Sequence, residues 1–112
     1  MAVAGAGLIG RVHVRCIQVL DDCELVALAD PSPAAVEVAE KAAVPLFSNL
    51  ADLLSESKLD GVILATPNSL HLEGALQCLE AGVGGILVEK PIADTLANAQ
   101  RIVAAVEAST VP

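Results

Sequence analysis

Three glycines, Gly5, Gly7 and Gly10, lie near the start of the chain, between a short apolar run and a stretch of helical periodicity. We expect the apolar run, residues 1–5, to form a strand and residues 8–20 to form a helix. In this position the first glycine allows a tight turn, the second lets another molecule approach the backbone, and the third lets the helix pack closely on the strand. The pattern therefore predicts a strand, a tight turn and a helix.

The start of such a helix has free N–H groups and the positive end of the helix dipole, both of which favour an anion. We therefore expect the turn to bind the pyrophosphate of a dinucleotide. A glycine-rich turn without a ligand is the simpler alternative. The residues expected to line the site are Gly5, Gly7, Leu8, Ile9 and Gly10.

Short apolar runs and stretches of helical periodicity alternate along the rest of the chain. Further strands are expected at residues 25–29, 45–47, 61–65 and 85–88, each followed by a helix. This alternation is typical of parallel strands joined by right-handed crossover helices. The sequence therefore predicts an α/β fold, a doubly wound parallel sheet with strand order 3-2-1-4-5. Ligands of such a sheet bind beyond the carboxyl ends of strands one and four.

Caps and apolar spacing predict the helices in more detail. Asn49 is expected to cap a helix over residues 50–57, Gly82 to end the fourth helix, and Asp94 to cap the last one. Apolar side chains on one helical face are expected to pack on the sheet. In chain order these are Ile9, Val12, Cys16 and Leu20; Ala35, Val38, Ala39 and Ala42; Leu50, Leu53 and Leu54; Leu72, Ala75, Leu76 and Leu79; and Leu96, Ala99, Val103 and Val106.

Composition limits the size and the partners of the protein. The 112 residues fit one domain, residues 1–112, and 54% of them are apolar, with Phe47 as the single aromatic. A domain this small cannot bury so much apolar side chain, so we expect part of it to face a further domain or, in a homo-oligomer, another subunit. The net charge of −8, with six scattered Lys and Arg, argues against binding of nucleic acid.

The sequence carries no targeting, membrane or metal signal. No apolar run approaches the roughly 18 residues of a membrane span, and the first residues lack the basic start of a signal peptide. Cys16, Cys23 and Cys78 are odd in number and lack metal-ligand spacing, which is typical of buried thiols in a reducing compartment. We expect a cytoplasmic protein without membrane contact and without a metal site.

Asp30 ends the second predicted strand, roughly 20 residues beyond the glycine turn. A carboxylate there can accept hydrogen bonds from both hydroxyls of an adenosine ribose, and it would repel a 2′-phosphate. Because no Arg or Lys follows Asp30 closely, the sequence favours NAD over NADP as the cofactor. A helix-capping Asp before Pro31 and Ser32 is the ordinary alternative.

Three segments of the chain resemble one known family. The glycine turn is followed by Arg11 and His13, residues 65–71 are Ala-Thr-Pro-Asn-Ser-Leu-His, and residues 88–93 are Val-Glu-Lys-Pro-Ile-Ala. Together they resemble the NAD(P)-dependent Gfo/Idh/MocA oxidoreductases, a family named for glucose-fructose oxidoreductase and inositol dehydrogenase. The resemblance extends from residue 1 to about residue 108, and the Glu-Lys-Pro segment is its most specific part.

The resemblance implies roles for the residues after the fifth strand. The family's lysine in this segment lies near the nicotinamide and the reacting hydroxyl, which makes Lys90 the candidate catalytic residue. A partly buried lysine can hydrogen-bond the substrate oxygen and help to move a proton during hydride transfer. A solvated lysine at a strand end is the alternative. Glu89 would orient Lys90 or the cofactor ribose, or be a surface charge, and Pro91 would follow a cis bond, as it often does in the family.

The resemblance also implies that Thr66, Pro67 and Asn68 line the middle of the cofactor, although an ordinary turn and helix start explains them almost as well. His71 matches the family's histidine in this loop and would face the nicotinamide side. A histidine in a first helical turn is otherwise usually structural. His13 is expected to pack or bond locally within the first helix.

The family pairs its cofactor domain with a larger α/β domain that supplies substrate contacts and a further acid or base, and the chain contains none of it. We therefore expect the cofactor-binding domain of an NAD-dependent dehydrogenase whose small-molecule substrate is a sugar, polyol or similar hydroxyl compound. Alone, the chain should turn over nothing. The alternatives are a non-catalytic NAD-binding sensor or scaffold and a methyltransferase, of which the Glu-Lys-Pro segment disfavours the second.

Overall fold

Five parallel strands form the centre of the computed structural model, which describes residues 1–111. Neighbouring strands pair in parallel in the order third, second, first, fourth and fifth, which confirms the predicted sheet and its strand order. In chain order the strands are β1 (Ala2–Ala4), β2 (Ala27–Ala29), β3 (Leu46–Phe47), β4 (Val62–Leu64) and β5 (Ile86–Val88).

A helix follows each strand, as the alternating sequence pattern predicts. A single 3-10 turn, Asn68–Leu70, precedes the fourth helix. The helices are α1 (Leu8–Gln18), α2 (Ala34–Ala42), α3 (Leu50–Glu56), α4 (His71–Glu80) and α5 (Leu96–Glu107).

The face of the sheet that carries α1 and α2 forms one apolar cluster. Val3, Leu28 and Ile63 of the three central strands are buried there. They pack with Val14 of α1 and Val38 of α2, among others. This side of the sheet therefore supports the helix that follows the glycine turn.

The other face carries α3, α4 and α5. Ala4 and Leu64 of the strands belong to one buried cluster with Leu53, Ala75 and Ile102, one from each of the three helices. With helices on both faces, the central strands are buried on both sides, which explains their unbroken apolar runs. The carboxyl ends of all five strands meet at one edge of the sheet, and that edge is where the predicted site residues lie.

The predicted core face of α1 is wrong. Gly10, Val14 and Ile17 are the buried residues of the helix. A Cβ on Gly10 would lie 1.8 Å from the Gly5 carbonyl oxygen, so this glycine must face the strand and it fixes the rotation of α1. The residues predicted to pack on the sheet are exposed instead: Ile9, Val12, Cys16 and Leu20.

Two other helices follow the prediction in part, since Leu72 and Ala75 of α4 and Ala99 and Val106 of α5 pack in or against the core as predicted. In α4, Cys78 is buried and Leu76 is exposed. In α5, Ile102 is buried, whereas Leu96 and Val103 are exposed. The apolar residues of these helices occupy more than one face, so periodicity alone does not identify the face that meets the sheet.

The caps of the helices follow the prediction in one case and not in another. The Asn49 side chain accepts a hydrogen bond from the Asp52 N–H and caps α3, as predicted. The cap of α5 is Thr95, whose hydroxyl accepts from the Asn98 N–H, so the prediction of Asp94 is wrong. Asp94 instead accepts from the Asn98 side-chain amide at 2.7 Å.

Replacing Leu53 by alanine tests the packing of α3 on the sheet. Leu53 is fully buried, so L53A should lower the free energy of unfolding by about 2–5 kcal/mol through lost burial and a cavity. The same change at Leu96, which is 77% exposed, should stay within about 0.5 kcal/mol. Urea unfolding followed by circular dichroism measures both. Equal losses in the two variants would contradict the described packing.

Candidate functional site

The turn between β1 and α1 contains three glycines, two of which no other residue can replace without a clash. Gly5 has a φ of +94°, and a Cβ there would lie 2.4 Å from the Ala65 carbonyl oxygen. Gly10 is closed in by the Gly5 carbonyl. Gly7 differs, since a Cβ added to it would meet no atom within 4 Å. The turn is therefore tightly packed on its inner side and open at Gly7.

Asp30, at the end of β2, reaches across to this turn. Its Oδ2 accepts a hydrogen bond from the Ala6 N–H at 2.7 Å, and its Oδ1 accepts from the Ser32 N–H at 2.7 Å. Burial raises the pKa of the Asp30 carboxyl, but hydrogen bonds from Ser32 and Ala6 outweigh it, so the pKa lies below its ordinary value. A carboxylate offers about four acceptor sites, so capacity for ligand hydroxyls remains.

The alternative role of Asp30, capping α2, is not observed, although the carboxylate does bond within the loop before that helix. The carboxylate holds the turn that leads to α2 through the Ser32 N–H. The residue at the cap position of α2 is Pro33, and no side chain caps that helix. Asp30 thus joins the glycine turn to the β2 loop and remains at the carboxyl edge of the sheet.

Thr66 follows β4 and has a buried hydroxyl, Oγ1, that makes no hydrogen bond to any of residues 1–111. A buried polar atom without a partner is costly, and it indicates a place where a ligand or water completes the bonding. Thr66 also lines a cavity of about 370 Å³ at this edge of the sheet. Within residues 1–111, the Thr66 hydroxyl is therefore a hydrogen-bond donor and acceptor without a partner, in the wall of this cavity.

The cavity extends from the ends of the central strands to the space between α3 and α4. Ala29 and Pro31, on either side of Asp30, contribute to its wall, and Leu70 contributes an apolar side chain. The sequence interpretation missed further lining residues, since none belongs to a motif and all come from a turn or from helix surfaces. These residues are Ser48, Asn49, Ala51, Glu73 and Gln77.

Four more of the residues predicted to line the site follow β1 and β4, at the same edge of the sheet. Pro67 and Asn68 are exposed at the start of the 3-10 turn before α4. Leu8 and Ile9 are exposed in the first turn of α1, next to Gly7. Neither pair is buried in the core, so the side chains are free to meet a bound molecule.

Glu89 and Lys90 follow β5 at the same edge of the sheet. His13 of α1 donates from Nε2 to Glu89 Oε1 at 2.7 Å, so the expectation that His13 bonds locally is wrong. Glu89 Oε2 accepts from the Lys90 N–H at 3.1 Å. The hydrogen bond from His13 is the main reason that the pKa of Glu89 lies below its ordinary value. Lys90 is exposed rather than partly buried, and its bond to Pro91 is cis, as the resemblance implies.

His71, the first residue of α4, is only 1% exposed. Its Nε2 lies 2.9 Å from the Thr66 carbonyl oxygen and its Nδ1 lies 3.0 Å from the Pro91 carbonyl oxygen. These contacts are those of a structural histidine, the alternative that a first helical turn also allows. The ring lies inside the protein and joins the loops that follow β4 and β5.

A second cavity, of about 200 Å³, lies between α1 and α2. Arg11, Arg15 and Lys41 line it, so half of the six basic residues cluster here and are not scattered along the surface. Lys41 pairs with Glu37 at 2.6 Å, one turn earlier in α2. The cluster is small and partly neutralised, and the net charge stays negative.

Among residues 1–111, no group of three or more His, Cys, Asp or Glu side chains is arranged to hold a metal ion. None of the helices described combines the length and the apolar character of a membrane span.

Comparisons with known proteins agree with this arrangement. The family described as "Oxidoreductase family, NAD-binding Rossmann fold", GFO_IDH_MocA, matches residues 1–112. The 4-carboxy-2-hydroxymuconate-6-semialdehyde dehydrogenase of Sphingobium sp. is 36% identical over 104 residues, which are 91% of this chain and 33% of that protein. The D-apiose dehydrogenase of Paraburkholderia graminis is 35% identical over 113 residues, 99% of this chain and 30% of that protein.

A solved structure with the same fold is the WlbA dehydrogenase from Bordetella pertussis in complex with NADH and UDP-GlcNAcA. It has a TM-score of 0.89 and 35% identity, and the match covers 98% of this chain and 34% of that one. The chain thus spans about a third of the length of the relatives that it matches. By the match along its whole length, the chain belongs to the Gfo/Idh/MocA oxidoreductases as an NAD-binding Rossmann domain.

Proposed function

We propose that this domain holds NAD for hydride transfer to or from a hydroxyl-bearing small molecule such as a sugar or a polyol. The observation that carries the proposal is the turn that is open at Gly7 and joined to the Asp30 carboxylate. Free N–H groups at the start of α1 suit a pyrophosphate, and the carboxylate suits the ribose hydroxyls next to it. The dehydrogenase relatives and the NADH named for one of them support the same conclusion.

The 370 Å³ cavity is the natural receptor for the adenine end of the cofactor. It begins beside Asp30, and an adenine ring needs an apolar slot with a few polar groups, as the lining by Leu70, Thr66 and Gln77 provides. The unpartnered Thr66 hydroxyl could then bond to the cofactor. The open turn and the acid lie at the carboxyl edge of the sheet, and the cavity spans the ends of β1, β2 and β4 beside them.

Lys90 is the group we assign to the reacting end. Its ammonium is exposed and can donate hydrogen bonds to a substrate oxygen, and a lysine can pass a proton to or from that oxygen. When bound, the nicotinamide supplies the hydride donor or acceptor. Walls from a second domain in a longer protein would enclose the substrate at this end.

Gly7→Ala tests the open turn. Because the added methyl meets no atom within 4 Å, G7A should leave the free energy of unfolding within about 0.5 kcal/mol of the original. The methyl should occupy the pyrophosphate position and weaken NAD binding by about tenfold or more. Isothermal calorimetry with NAD measures the affinity. Gly85→Ala, at the opposite edge of the sheet, is the control and should bind NAD normally. Equal binding by G7A and the original would contradict the site.

Asp30→Asn tests the choice between NAD and NADP. Losing the charge should weaken NAD binding by about tenfold, since hydrogen bonds to a charged acceptor are lost. It should also remove the repulsion of a 2′-phosphate and so narrow the preference for NAD over NADP. Titrations with both cofactors give the ratio of dissociation constants. Asp60→Asn, on the exposed loop before β4, is the matched control. No binding of either cofactor to the original at millimolar concentration would refute the proposal.

Lys90→Ala, made in the longest natural form of the protein, tests the reacting end. Loss of the proton-transferring group should lower kcat by about 100-fold or more. NAD affinity should change little, because the ammonium is not needed to hold the pyrophosphate. Steady-state kinetics and NAD titration measure the two effects, with the exposed Lys58→Ala as control. Unchanged turnover in K90A would favour a binding module in which this lysine has no chemical role.

A further inference from the structure

Lys90 lies between two residues that are each tied to a histidine on a different helix. Glu89, before it, is bound by His13 of α1, and Pro91, after it, is bound by His71 of α4. We propose that His13 and His71 are positioning residues, which hold the Lys90 main chain at a fixed position relative to the glycine turn and to the end of β4. The inference rests on the proposed function, since Lys90 is the group to be positioned.

The link through His13 connects parts of the chain that are 76 residues apart. The two side chains are each 19% exposed, so they are largely shielded from water and the pair is stronger than a freely solvated one. His13 lies one turn beyond Gly10, in the helix whose start faces the pyrophosphate. With Oε1 held by the histidine, Glu89 presents Oε2 to the Lys90 N–H at 3.1 Å. The orientation of Glu89 therefore fixes the main chain at Lys90.

The link through His71 connects two loops at the carboxyl edge. Both partners of the ring, the Thr66 and Pro91 carbonyl oxygens, can only accept hydrogen bonds. A neutral imidazole has one N–H and donates it to one of the two carbonyls. The positioning role requires that N–H to lie on Nδ1, toward Pro91, with Nε2 packed beside the Thr66 carbonyl. With 1% exposure, the ring has no water to replace either contact.

These links matter because the Lys90 side chain is long, flexible and exposed. The contacts at Glu89 and Pro91 act on the main chain from which the ammonium extends. A misplacement of about 1 Å at a reacting group can cost about 100-fold in rate. Neither histidine is assigned contact with substrate, so both act through Glu89, Pro91 and Thr66.

Hydrogen exchange of the Lys90 amide tests the His13 link in this chain without any ligand. His13→Ala should speed that exchange by about tenfold, because Glu89 loses the contact that orients it. His13→Gln places a side-chain N–H near the position of the original Nε2 and should restore slow exchange. Unchanged exchange in H13A, with an unchanged melting temperature, would overturn this half of the proposal.

Nitrogen chemical shifts of the ring test the His71 link. Nδ1 should show the shift of a protonated nitrogen, because it faces the Pro91 carbonyl oxygen, and an unprotonated Nδ1 would overturn the link to Pro91. Two conservative variants separate the contacts: His71→Gln keeps a donor near the former Nε2 and Thr66, and His71→Asn keeps one near the former Nδ1 and Pro91. Fast exchange around residues 90–92 should appear in H71Q and not in H71N. Equal behaviour of the two variants would also refute this link.

Kinetics in the longest natural form then test the consequence for Lys90. H13A should lower kcat by roughly 10- to 100-fold with little change in KM for NAD, and H13Q should recover most of the loss. A rise in KM with kcat unchanged would mean that His13 acts on binding and would overturn the positioning role. If the original protein binds no NAD, the proposed function fails, while the exchange and shift measurements still decide whether the two links exist.

Discussion

The site depends on the contact between Gly10 and the Gly5 carbonyl oxygen, where the position of a missing Cβ lies only 1.8 Å from that oxygen. Because nothing bulkier fits there, α1 can approach β1 closely and in one rotation only. That rotation buries Val14 and Ile17 and directs His13 toward Glu89. It also leaves Gly7 at the open side of the turn. The packing of one glycine thus determines both the ligand-facing side of the helix and its tie to β5.

Asp30 and the two histidines extend this constraint to the other loops. The carboxylate joins the glycine turn to the β2 loop through Ala6 and Ser32, and His71 joins the loops after β4 and β5. Side-chain hydrogen bonds thus connect the ends of four strands, in addition to the hydrogen bonds within the sheet. Such connections suit a site that must hold a long ligand at several points, because each point of contact is fixed relative to the next.

The sequence was sufficient for the element order, the strand order and the glycine turn, because these follow from local patterns and from the rules for crossover connections. It failed for the buried face of α1 and in part for those of α4 and α5, since apolar residues such as Ile9, Leu76 and Leu96 occupy positions that tertiary packing leaves in water. The His13–Glu89 pair could not be found from spacing, because its members are 76 residues apart and neither belongs to a local pattern with the other. The cavity beside Asp30 likewise combines residues from four separate segments.

The outer side of α1 carries apolar side chains along its whole length and just beyond it. Leu8, Ile9, Val12, Val19 and Leu20 are all more than a third exposed. In a chain with 14 Asp and Glu, electrostatic repulsion between molecules opposes the sticking of such surfaces in solution. Concentrated salt screens that repulsion, and acid removes the charges that cause it. The carboxylates therefore control how strongly molecules of the domain associate in solution. That association should increase when salt screens the carboxylates or acid neutralises them.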